Sequence, residues 1–132
     1  MENSSFIRAV EQAKNRAHAP YSNFRVGALL LTKTGKTFSG CNIESSSYGL
    51  TICAERVALF KAISEGEKNF RQIYIATDHE QFCPPCGACR QVLWELAGDI
   101  EVTMVNRKGK QRSRQLSELL PDAFDGQFLE GQ

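Results

Sequence analysis

A chain of 132 residues can bury one sizeable core and is too short for two ordinary domains. With 42% hydrophobic and 23% charged residues it has the composition of a folded globular protein rather than a disordered one. A formal net charge of +1 offers no whole-chain attraction to nucleic acid, and there is no run of about eighteen apolar residues to span a membrane. The opening "MENSSFIRAV" has no basic stretch leading into a long apolar one, so the expected location is the cytoplasm. In that compartment five cysteines favour metal or catalytic roles over disulfides.

The chain begins with a predicted helix, "NSSFIRAVEQAKNRAH", capped by Asn3 or Ser4 and striped by Phe6, Ile7, Val10, Ala13 and Ala17. "APYSNF" is a loop. "RVGALLLT" is a strand apolar enough to be buried on both faces; "KTGK" turns it, and "TFSGCN" returns as the second strand of a hairpin. After the small polar loop "IESSSYGL" comes the helix "TICAERVALFKAISEG", with Thr51 as a candidate cap and Gly66 as its stop. Its apolar character on most sides predicts a central, well-buried helix. "FRQIYIAT" is a third strand, "DHEQFCPP" a loop, and "CGACRQVLWELAG" a third helix ended by Gly98. "IEVTMVN" and "KQRSR" are strands around an "RKGK" turn, and "SELLPDAF" is a last short turn of helix. The order α-β-β-α-β-α-β-β predicts one α/β domain over residues 1–132, a sheet with helices on its faces.

Cys86 and Cys89 stand three apart where the third helix begins, so one face of that helix carries both thiols to a single metal ion. A helix start also favours thiolate over thiol. A redox pair of the thioredoxin kind fits the same spacing. The second helix adds "CAE", with Cys53 and Glu55. A carboxylate without a function is costly inside an apolar helix. Three protein ligands leave zinc a fourth, open position, which is the catalytic pattern, and a carboxylate that is not a ligand moves protons beside it.

These residues resemble a known family. Zinc nucleobase deaminases carry H-x-E followed by P-C-x-x-C, with cysteine allowed for the histidine. Here the matching stretches are "CAE" at 53–55 and "PCGAC" at 85–89. "APYSNFRVGALL", "GCNIESSSYG", "ICAERVALFKAISEG", "PCGACRQVLWEL" and "SELLPDAF" also resemble the small tetrameric cytidine deaminases, in the right order over roughly residues 18 to 124.

The resemblance implies a three-layer α/β/α fold on a mixed five-stranded sheet. It further implies one zinc per chain on Cys53, Cys86 and Cys89, and Glu55 as the proton shuttle that turns cytidine and deoxycytidine into their uracil counterparts plus ammonia. Asn42 and Glu44 in "CNIE" would clamp the ribose, the backbone of Ala54 would contact the pyrimidine, and Phe24 would pack on the nucleoside. Arg56 would offset the −1 charge of zinc with three thiolates. Tyr48 and Phe124 would lie near subunit contacts of a homotetramer and complete a neighbour's site.

The resemblance has one departure, Cys83, where the family usually has a small or apolar residue. Two prolines separate it from Cys86. In an extended segment residues three apart lie roughly 9 Å from each other, whereas thiolates on one zinc lie within about 4 Å. Cys83 is therefore expected to be a spectator.

Other residues read as ordinary structure. Cys41 is a small buried hydrophobe, His18 and His79 are loop residues, and "RKGKQRSR" is a solvated hairpin despite five basic residues in eight positions. Leu93 and Trp94 fit the core or a subunit contact. Within zinc hydrolysis the competing reading is a deaminase of a modified cytosine nucleoside such as blasticidin S; "NIE" and "NFRVGA" favour plain nucleosides. A nucleic-acid editing deaminase needs a surface for flanking nucleotides, for which this chain has little room. An iron–sulfur or structural zinc module is the non-enzymatic competitor, and colour separates the iron–sulfur case.

Overall fold

The computed structural model describes residues 2–129. The elements are α1 (Glu2–Asn15), β1 (Val26–Thr32), β2 (Thr37–Cys41), α2 (Ala54–Ser64), β3 (Phe70–Thr77), α3 (Gly87–Ala97), β4 (Glu101–Val105), β5 (Gln111–Gln115) and the single turn α4 (Leu116–Leu119). Short 3₁₀ turns at Tyr48–Leu50 and Gly126–Leu129 complete them. Among the described residues no helix is long and apolar enough to cross a membrane.

The five strands form one mixed sheet in the order β2-β1-β3-β4-β5. β1 pairs antiparallel with both β2 and β3, β4 pairs antiparallel with β5, and β3 and β4 run parallel, joined through α3. Strand alternation sorts the apolar residues into two cores. On one face Ala28, Leu30, Ile73, Ile75, Val102 and Met104 meet Ala54, Ala58, Leu59 and Ala62 of α2 and Leu93 of α3. On the other, Leu29, Leu31, Tyr74, Ala76 and Val105 meet Val10, Phe6 and Ile7 of α1. These are the three expected layers. The buried β1 agrees with its apolar run: six of its seven residues are buried.

The sheet brings strand ends together at one of its ends. Val26 at the start of β1 faces Thr77 at the end of β3, and Gly27 faces Cys41 at the end of β2. α2 begins over β2, and Gly40 permits that closeness. A Cβ there would come 2.5 Å from the carbonyl oxygen of Ala54 and 2.6 Å from the nitrogen of Ala58, so any side chain would push the start of α2 away.

Several boundaries differ from those the sequence predicts. α1 stops at Asn15 because His18 is drawn into extended pairing: its N–H donates to the Asn42 carbonyl at 3.0 Å, and its carbonyl accepts from Glu44 N at 2.8 Å. α2 starts at Ala54, not Thr51, because Ile52 pairs with Ile43 and keeps the chain extended up to Cys53, which takes the cap position. Thr51 does not cap α2: its N–H closes the preceding 3₁₀ turn on the Tyr48 carbonyl, and its hydroxyl accepts from Ser45 N. α2 also leaves Phe60 45% exposed, so it is buried on one side and not all round. β5 lies one residue later than expected, and its residues are largely exposed, as a solvated hairpin requires.

Candidate active site

Two helix starts face each other at the end of the sheet where β1, β2 and β3 converge. Cys53 caps α2 and Cys86 caps α3, both in extended backbone conformation. Neither thiol makes a capping hydrogen bond, so both are free to turn to a common point. Cys89, one turn into α3, is fully buried. The three Sγ atoms lie within 4.8 Å of one another, and Cys53 and Cys86 are 3.8 Å apart. Tetrahedral zinc with bonds near 2.3 Å holds its sulfurs about 3.8 Å apart, so the donor set fits that ion. Cys83 stands outside this cluster and lines the cavity beside it.

The local charges fit a cation as well. The Cys53 thiol is pushed down to about 5, chiefly by the hydrogen bond from Cys89, with further help from the Arg56 guanidinium, whose Nη2 lies 3.4 Å from the sulfur. Cys89 moves the opposite way, because it is the donor to that thiolate and is buried beside it. Cys53 and Cys89, this close, carry one negative charge readily and resist a second; a divalent cation removes the resistance. Arg56 is held more firmly protonated by its bond to Cys53, and its Nε is a buried donor without a hydrogen-bond partner among the described residues.

Glu55 lies in the first turn of α2 and is 5% exposed. Burial pushes its carboxyl up to about 7. A carboxyl with that value takes up and releases protons near neutral pH, which is what a general acid–base group requires.

Glu55, Cys53 and Cys86 open onto a cavity of about 210 Å³ that is also lined by Phe24, Asn42 and Ala54. Val26, Thr51, Ile75, Thr77, Cys83 and Pro84 complete its walls. The volume lies below the roughly 300–1,000 Å³ of pockets for drug-sized ligands and suits one small ring. In the sequence Val26, Ile75 and Thr77 carry no signal beyond that of ordinary strand residues; only the convergence of strand ends makes them a wall.

Asn42 does structural work at this wall. Its Oδ1 accepts from Val26 N at 2.9 Å, and its Nδ2 donates to the Phe24 carbonyl at 2.8 Å. Glu44 belongs to a neighbouring hollow with Tyr21, Ser22 and Tyr48, which shares Thr51 with the main cavity. Its carboxylate accepts from the backbone N–H groups of Tyr21 and Ser22 and from the Ser22 hydroxyl. The Ser22 hydroxyl is the main reason that this carboxyl sits below its usual range. Tyr48 is 73% exposed and meets Tyr21 edge to face. Phe124 lies in the C-terminal segment, away from the cavity wall: its carbonyl accepts from Gln91 Nε2, and its ring stacks on Phe128.

Comparison with known proteins bears on the chain as a whole. Residues 1–105 match the family model described as the cytidine and deoxycytidylate deaminase zinc-binding region. A cytidine deaminase of Halalkalibacterium halodurans is 48% identical over 130 residues, covering 98% of each chain. A probable cytidine deaminase of Dictyostelium discoideum is 49% identical over 124 residues, 93% of this chain and 84% of that one. The crystal structure of cytidine deaminase from Burkholderia pseudomallei superposes with a TM-score of 0.90 at 46% identity, covering 94% of this chain and all of the other. The chain belongs to the cytidine and deoxycytidylate deaminase family.

Proposed function

We propose that this member of the deaminase family is a zinc-dependent enzyme that hydrolyses cytidine and deoxycytidine to uridine and deoxyuridine plus ammonia, a step of pyrimidine salvage. The observation that carries the reading is the meeting of three thiols at zinc spacing with a buried, protonatable Glu55 on one ring-sized cavity. Relatives that cover nearly the whole chain and are named cytidine deaminase support it.

Cys53, Cys86 and Cys89 would hold one zinc per chain. Zinc bound there supplies Lewis-acid activation of a water nucleophile at neutral pH. The remaining work falls to the chain's own groups. Phe24, Val26, Ile75 and Thr77 exclude solvent from the cavity that would take the base. The backbone at Ala54 meets the pyrimidine edge. Glu55 takes a proton from the attacking water and places it on ring N3 as oxygen bonds to C4. It then takes the proton of the C4 hydroxyl and delivers it to the 4-amino group, so that the C4–N bond breaks, ammonia leaves and the C4 carbonyl forms. Arg56 counters the excess negative charge of three thiolates. Asn42 and Glu44 would receive the ribose hydroxyls at the outer end.

The exposed aromatic and aliphatic residues Tyr48, Leu50, Phe124, Phe128 and Leu129 support self-association, with Tyr48 and Phe124 near a neighbour's site. A homotetramer is the assembly proposed, and light scattering should report the mass of four 14.7 kDa chains. The sheet shared by all five strands supports one domain, and the free cysteines support a cytoplasmic setting. The deciding experiment mixes purified protein with cytidine and follows the loss of cytosine absorbance alongside elemental analysis. Turnover with one zinc per chain is expected; no turnover, or iron in place of zinc, overturns the reading.

A further inference from the structure

A second charged cluster lies directly behind one wall of the cavity. Val26 and Thr77 are the outermost pair of the β1–β3 ladder, and both line the cavity. Successive strand residues point to opposite faces, so Arg25 and Asp78, the next positions outward, turn towards α1. There Arg25 grips Asp78 with two donors, Nε to Oδ2 at 2.8 Å and Nη2 to Oδ1 at 3.3 Å. Lys14 of α1 reaches the same carboxylate at 2.9 Å and Glu11 at 2.7 Å. Its side chain is only 7% exposed, and a buried ammonium is tolerated only when paired in this way. Gly27 lets α1 come this close: a Cβ there would lie 2.4 Å from the backbone nitrogen of Lys14.

The cluster has a directional effect. A two-donor Arg–carboxylate pair fixes orientation as well as distance, and Arg25 sits between two wall residues, Phe24 and Val26. Asn42 ties the backbone of those same two residues with its side-chain amide. The short segment 24–26 is thus held by an amide on one side and by Asp78 on the other. The chain just before it is loop, while Val26 is already paired with Thr77 in the ladder, so Phe24 is the wall residue that depends on these ties.

We propose that Asp78, aided by Lys14, is a positioning residue that holds Arg25 and thereby fixes Phe24 in the cavity wall where the nucleoside packs against it. This rests on the deaminase reading above. Asp78 touches no reacting atom in this role. Releasing it loosens a wall that meets ground state and transition state alike, so binding suffers and chemistry does not.

The test uses zinc-loaded parent, Asp78→Asn, Arg25→Gln and the double variant, with Lys36→Gln as control. Lys36 pairs with Glu67 beyond the far end of β1, so its variant breaks an ion pair remote from the cavity. Cytidine kinetics, uridine affinity by calorimetry and melting temperature are measured on each. Arg25 has a side chain 43% exposed, so its variant keeps the test valid should Asp78→Asn fold poorly. KM and the uridine Kd should rise about tenfold in each single variant and no further in the double, with kcat within about threefold and the control unchanged. KM within twofold of the parent in both single variants, whatever the melting temperature does, overturns the proposal, as does a fall in kcat at unchanged KM. A parent that deaminates no cytidine overturns the functional reading and this proposal with it; an active parent with unmoved variants overturns the positioning role alone.

Discussion

At the inner end of the cavity Glu55 is 5% exposed, and three thiols arrive from two helix starts; at the outer end Glu44 and Tyr48 sit on loops, with Tyr48 73% exposed. The inner end is set by short-range geometry: a cap residue and positions one to three residues further on, in helices pinned to the sheet. The outer end depends on how loops 18–25 and 42–51 lie on each other, through bonds such as Tyr21 N to Glu44. In the proposed function, chemistry then falls to groups at helix starts and substrate reach to residues on loops. That division makes the two ends respond differently to substitution.

The sharpest break is expected at the proposed metal ligands. Cys86→Ser should lose both zinc and cytidine turnover, since removing one of three thiolates leaves too few donors for a catalytic site. Zinc content by elemental analysis and activity should fall together, and chelation of the parent should do the same. A Cys86→Ser protein that retains a full equivalent of zinc contradicts the ligand assignment.

Glu55→Gln separates proton transfer from metal binding at that same inner end. Glutamine keeps the shape but carries no titratable proton, so kcat should fall roughly 10²–10⁴-fold, or more, with zinc unchanged. Stability against pH gives a second reading. The carboxyl's ordinary value is 4.5, and in the fold it is about 7. Between those values the native state holds a proton that the unfolded state has released, so this residue's contribution to stability falls as pH rises from about 4.5 through about 7. The full penalty is of order 3 kcal/mol. Urea denaturation of metal-free parent and variant at pH 5 and pH 8 should show the parent losing stability relative to Glu55→Gln. Equal pH slopes would sink the assignment.

Glu44→Ala probes the outer end. Its carboxylate orders the Tyr21–Ser22 loop through three hydrogen bonds, so its loss should raise KM for cytidine about tenfold and leave zinc and most of kcat in place. If the kinetics match the parent's, Glu44 has no part in nucleoside handling.

The same contrast explains what the sequence reveals. "CAE" and "PCGAC" are local patterns: helix geometry puts Cys86 and Cys89 on one face, and the resemblance to zinc deaminases joins Cys53 to them, so the cluster is legible in the sequence. Element order is legible too, because apolar periodicity decides it, and the resemblance adds the three layers. The cap of α2 is not: Thr51 has the chemistry of a cap, but the Ile43–Ile52 bridge holds the chain extended to Cys53 and joins residues far beyond any helix period. The walls at Val26, Ile75 and Thr77 are hidden for a similar reason: a strand pattern says which face is buried, and not that a particular strand end borders a cavity. The Arg25–Asp78–Lys14 cluster depends on pairing 53 residues apart along the chain.

The smallest effect is expected at Cys83, the cysteine that neighbours the cluster without joining it. Its thiol lines the cavity, and its sulfur lies 3.8 Å from the Pro84 carbonyl. Burial first, and the nearby Glu55 charge second, push the thiol up, so it stays neutral at pH 7 and behaves as a small apolar group. Serine is nearly the same size, and the change adds a stronger hydrogen-bonding group that the partly exposed site can solvate. Cys83→Ser should therefore keep its zinc and hold kcat/KM within about twofold of the parent, against the total loss at Cys86 only three residues on. Zinc analysis and cytidine turnover on both variants, with Cys89→Ser beside them, make the comparison. If Cys83→Ser loses zinc while Cys89→Ser retains it, the cluster is assigned in the wrong register, and the rigid inner end must be rebuilt around the diproline segment.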